Sequence, residues 1–109
     1  MATTKGSRRE PGRGKGVYWE LDGLQEGDFV IHKDHRGKFR TDLITSSRGH
    51  HLTIGPAHGE STLRAAIHLA ETESHRRGLY HSIVLGPFRS NLVQIGNIID
   101  GRWQKSGPG

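Results

Sequence analysis

Glycine divides this chain into short runs, and that division favours strands and turns over long helices. Sixteen of the 109 residues are glycine. From Val17 to Ile54 the runs VYWEL, DFVIHK, KFRTDLITS and HHLTI are separated by Asp22-Gly23, Gly37 and Ser47-Arg48-Gly49, and Gly55-Pro56 closes the series. Each run has the length and the β-forming residues of a strand, and each separator is a turn former. The two runs around Asp34-His35-Arg36-Gly37 predict a β-hairpin, and HHLTI adds a third strand to the same meander.

One segment has a helical period. Leu63, Ala66, Ile67 and Ala70 fall at i, i+3, i+4 and i+7, with Arg64, His68, Glu71 and His75 on another face. Ser61 is placed to cap the first turn. Arg76 and Arg77 suit the negative end of the helix, and Gly78 suits the left-handed residue that follows it. Beyond it, Tyr80 to Leu85 reads as a strand, Gly86 to Asn91 as a loop, and Leu92 to Ile95 as a strand. Gly96-Asn97 then reads as a two-residue turn into Ile98-Ile99-Asp100. The expected fold is therefore α+β: an antiparallel three- or four-stranded meander packed on one helix (βββα), followed by a C-terminal β-hairpin region.

The apolar share is 31%, below the usual ~45–50%, and the ends account for part of the deficit. Residues 1–16 read as a disordered basic arm, 17–103 as a single domain and 104–109 as a flexible tail. The arm holds Lys5, Arg8, Arg9, Arg13 and Lys15 against Glu10, which is +4 of the chain's net +5. There is no cysteine, no apolar stretch of membrane-spanning length and no signal-peptide pattern. These features lead to the expectation of a cytoplasmic protein with no membrane association.

Residues Phe29 to Ile67 resemble the YegP-like family of small proteins of unknown function. Phe29, Ile31, Lys33, Asp34, Gly37, Phe39-Arg40, Leu43, Gly49, Ile54 and Gly59-Glu60-Ser61 before Ala65-Ala66-Ile67 carry the resemblance. Thr41 stands where that family pattern has an aromatic, and Arg48-Gly49 replaces its Asn-Gly turn. No second copy of the motif follows. The resemblance implies a βββα unit, duplicated in tandem or paired as a homodimer, and no reaction.

Alternation puts Phe29, Ile31, Phe39, Leu43, Leu52 and Ile54 on the face under the helix. The other face then carries His32, Lys38, Arg40, His51 and Thr53 with Val30 and Ile44 among them, and Arg36 and Arg48 sit on the turns. This reads as an open, modestly basic sheet, weakened by Asp28, Asp34 and Asp42. With the arm in front of it, the expected function is a small DNA-binding or other nucleic-acid-associated protein. Arg8, Arg9, Arg13, Lys15, Arg36, Lys38, Arg40 and Arg48 are the candidate phosphate contacts. The alternative is a dimeric protein–protein interaction or inhibitory module, phage- or host-encoded, docking an acidic partner. Ile83, Leu85, Val93, Ile95, Ile98 and Ile99 would form its homodimer interface. A small-ligand site lidded by Trp19, Tyr80 or Trp103 is a third reading.

No catalytic constellation orders the eight histidines, so no enzyme activity and no cofactor are expected. His50, His51 and His58 do not share one face, and His68-Glu71-His75 is a sparse cluster, so no metal site is expected either.

Overall fold

The structure is a computed structural model that describes Trp19 and residues 23–106. The strands are β1 (Phe29–Lys33), β2 (Phe39–Ile44), β3 (His51–Ile54), β4 (His81–Phe88), β5 (Asn91–Ile99) and β6 (Arg102–Lys105), with helix α1 (Leu63–Arg76) between β3 and β4. The fold is α+β, with one mixed six-stranded sheet in the order β3-β2-β1-β4-β5-β6 and one helix among the described residues. The basic arm and all of VYWEL except Trp19 lie outside those residues; Trp19 itself is in no strand.

The C-terminal strands do not form a separate hairpin region. They extend the same sheet, because β1 pairs in parallel with β4 at Phe29↔Val84 and Val30↔Leu85. Asp28 reinforces this junction: its carboxylate accepts from the Ile83 and Gln25 N–H groups, each at 3.0 Å. All other strand pairs are antiparallel.

The expected Gly86–Asn91 loop and Gly96-Asn97 turn are both corrected. Residues 86–88 continue β4, and β5 runs unbroken through Gly96 and Asn97 to Ile99. The chain reverses instead at Asp100-Gly101, where φ is 53° and 77°, positive at both central positions as a type I′ turn requires. Gly96 is needed as a strand residue without a side chain. A Cβ there would collide with the Trp103 ring and lie 2.6 Å from the Gln104 carbonyl oxygen. Strand β6 includes Gln104 and Lys105, two residues beyond the expected domain boundary.

Helix α1 starts one residue later than its sequence suggests. Thr62, not Ser61, is the N-cap, its hydroxyl accepting from the Ala65 N–H at 3.1 Å. Gly78 has the positive φ, 68°, expected after the helix. The apolar stripe covers a core of Phe29, Ile31, Leu43, Val84 and Ile98 with Ala66 and Ala70, flanked by Leu63, Ile67, Ile54, Phe39 and Trp103. Leu52, expected in that core, is half exposed on the edge strand. Two polar links fix the helix to the sheet: the Thr41 hydroxyl donates to the Ala66 carbonyl at 2.9 Å, and the Trp103 N–H donates to Glu71 at 2.7 Å.

Replacing Gly96 by Ala forces the Trp103 ring and β6 apart. We expect a loss of about 1–3 kcal/mol in chemical denaturation, whereas Gly23→Ala, where a Cβ meets nothing within 4 Å, costs only its positive-φ strain, about 1 kcal/mol.

Candidate nucleic-acid interface

The sheet face away from the helix is not open. Val30 and Ile44 are fully buried on it, beneath Leu24, Trp19, Leu85 and Leu92. Trp19 and Leu24, ahead of β1, cover this face, and the β4–β5 hairpin supplies Leu85 and Leu92. The backbone of Trp19 is tied down by its N–H, which donates to the Gly49 carbonyl at 2.8 Å.

Beside this apolar patch lies Asp42, only 2% exposed. In the sheet register it stands opposite Thr53, with His32 on β1 and His51 on β3 at the diagonal positions, within reach of a short carboxylate. The Thr53 hydroxyl donates to Oδ1 at 2.7 Å. The Trp19 indole N–H donates to Oδ2 at 3.1 Å, and His32 Nε2 lies 3.0 Å from the same oxygen. His51 Nε2 approaches it at 3.7 Å. An ionised carboxylate only accepts, so the His32 proton sits on Nε2. The Trp19 ring meets His32 edge-on at 5.0 Å between centroids.

Burial by itself pushes the Asp42 carboxyl up. The hydrogen bonds from His32 and Thr53, with the nearby imidazoles, outweigh it and hold the group below its ordinary value. Asp34, in the β1–β2 turn, is also lowered, chiefly because its carboxylate accepts from the Lys38 N–H. Its Oδ1 takes the N–H groups of both Arg36 and Lys38, at 2.8 and 3.0 Å.

Over this polar half of the face sits a cleft of about 260 Å³. Arg36 from the β1–β2 turn, Arg40 from β2 and Arg89 from the β4–β5 turn line it, with Trp19, His32 and His51. The Arg89 guanidinium lies over the Trp19 ring, 4.7 Å from its centroid. Arg36 and Arg40 both form ion pairs with Asp34 Oδ2, at 3.6 and 3.9 Å, but neither donates a hydrogen bond to it. Arg40 Nε is buried without a hydrogen-bond partner among the described residues.

Of the expected phosphate contacts, Arg36 and Arg40 therefore meet at one place. Lys38 and Arg48 do not line the cleft; Lys38 precedes β2 and directs its ammonium 3.5 Å from the Ser61 hydroxyl. Arg8, Arg9, Arg13 and Lys15 lie outside the described residues. Arg89 was not legible as a partner of this group, because only the pairing of β4 with β1 brings its turn across the sheet.

The residues expected at a homodimer interface are spread over both faces. Ile98 is buried in the core and Ile95 packs against it. Ile83, Leu85 and Ile99 alternate onto the opposite face. Val93 is half exposed near the hairpin tip. On the helix, His68 and Glu71 approach to 3.6 Å, but among the described residues no three ligating side chains are grouped to hold a metal ion. No described helix is long and apolar enough to cross a membrane.

Comparison with protein-family models, with curated proteins and with solved structures gave no match.

Removing the Asp42 charge unpins three side chains at once. Asp42→Asn is expected to lose about 1–3 kcal/mol at neutral pH. Because the native carboxyl is held below its unfolded value, its stabilisation is complete above roughly pH 5 and is lost as pH falls through the native value. Urea denaturation across pH 3–7 is expected to show a shallower acid limb in the variant than in the parent protein.

Proposed function

We propose that this is a small nucleic-acid-associated protein that holds phosphate with the arginine-lined cleft on its second sheet face. The observation that carries this reading is the convergence of Arg36, Arg40 and Arg89 from three separate segments on one concave site. Guanidinium groups match phosphate oxygens with paired, charge-assisted hydrogen bonds. The +4 segment formed by residues 1–16 adds sequence-independent attraction to the same ligand.

The test is an electrophoretic shift with duplex and single-stranded DNA and RNA at two salt concentrations. Binding is expected to weaken steeply with salt, and Arg40→Ala and Arg89→Ala are each expected to reduce the salt slope by about one. Absence of any complex with all four nucleic acids at low salt would overturn the reading.

A protein-partner reading has its own support. Phe88 and Val93, 53% and 50% exposed, flank the tip of the β4–β5 hairpin. Under that reading, Phe88→Ser abolishes a partner captured from nuclease-treated extract, and the nucleic-acid shift is unaffected.

A further inference from the structure

We infer that the cleft takes a phosphomonoester, the terminal phosphate of a nucleic-acid strand or the phosphate of a mononucleotide. The inference rests on the nucleic-acid reading and names the part of the ligand that enters this site.

Shape is the first argument. The cleft is set between the β1–β2 and β4–β5 turns, with the Asp42 network as its floor. At about 260 Å³ it falls below the roughly 300–1,000 Å³ of a pocket for a drug-sized ligand. That is room for a phosphate and the sugar behind it. A duplex presents its phosphates along a continuous convex backbone, suited to an open surface. A terminal phosphate projects and can enter.

Charge is the second. A phosphodiester carries a single negative charge, whereas a monoester carries about −1.5 to −2 at pH 7 and has three acceptor oxygens. Three guanidiniums reach the cleft from three directions, and among the described residues none donates a side-chain hydrogen bond. Arg89 rests on the Trp19 ring and has no carboxylate partner among the described residues. Arg40 has a buried Nε with no acceptor among the described residues, and half of the Arg36 side chain is exposed.

The two carboxylates at the site lower its positive charge without hydrogen-bonding to its guanidiniums. Asp42 lies beneath the cleft, taken up by Thr53, Trp19 and His32. Asp34 Oδ1 is occupied by two backbone N–H groups, and its Oδ2 stands between Arg36 and Arg40, spacing the two guanidiniums. Trp19 is fixed at both ends, by its N–H on Gly49 and its indole on Asp42. The stacked Arg89 is therefore positioned before any ligand arrives.

The experiment compares short single strands of one sequence, ending in 5′-phosphate, 3′-phosphate or hydroxyl only, by fluorescence anisotropy with the full chain. A nucleoside monophosphate and inorganic phosphate serve as competitors. A phosphorylated end is expected to bind about tenfold more tightly than the hydroxyl-ended strand. Arg89→Ala, on an exposed turn, and Arg40→Gln are each expected to bring that ratio close to one, with the melting temperature of Arg89→Ala unchanged. Displacement of the phosphorylated strand by the nucleoside monophosphate supports the site and identifies a mononucleotide as sufficient; preference for the strand end without such displacement supports it with the strand as ligand. Equal binding of all three strands by the unaltered protein overturns the phosphomonoester site and leaves the nucleic-acid reading standing. No binding of any strand overturns both.

Discussion

The arrangement of the second sheet face depends on a buried carboxylate. Removing Asp42 from water is costly unless its oxygens find donors, and in this fold they find them on three segments: Thr53 on β3, with His51 of the same strand at a longer distance, His32 on β1, and Trp19 ahead of the sheet. These bonds require one register. A slip of one residue between β2 and either neighbour would leave Asp42 and that neighbour's donor on opposite faces of the sheet. The group that lowers the positive charge of the face is thus the group that orders it.

Around that anchor the second face divides in two. Val30, Ile44, Leu24, Leu85 and Leu92 form a small second core, which gives a thin domain apolar burial on both sides of its sheet. The remaining half stays polar and supports the cleft. Because Trp19 belongs to the apolar cover and also donates to Asp42, the two halves are mechanically joined. Arg89 then extends the join to the far side of the sheet through its contact with the Trp19 ring. The cleft arginines are held by folded elements, unlike contacts that a charged tail supplies by proximity alone.

Much of the local structure was legible in the sequence. The helix period from Leu63 to Ala70, the Gly78 stop and the runs that became β1, β2 and β3 follow from residue spacing. The parallel pairing of β1 with β4 did not, because pairing partners leave no mark in a strand's own period. One clue was present: Phe29-Val30-Ile31 is an uninterrupted apolar run, the pattern of a strand buried on both faces, although alternation assigned Val30 to solvent. Gly96-Asn97 reads as a turn in sequence, but the ring of Trp103 packs against Gly96 within the sheet and the reversal falls at Asp100-Gly101. In the cleft, Arg36 and Arg40 were legible as neighbours on a hairpin. Arg89 and Trp19 were not, since each arrives from a distant segment through tertiary packing.

The most direct measurement of this account is the indole Nε1–H resonance of Trp19 in a ¹⁵N correlation spectrum of the intact chain, recorded with and without Asp42→Asn. A Trp19 indole bound to a buried carboxylate should exchange slowly with water and resonate away from the random-coil position at neutral pH, and the substitution should return it towards that position. A Trp19 signal that is already at the random-coil position and exchanges freely in the unaltered protein would contradict the claim that Asp42 organises this face.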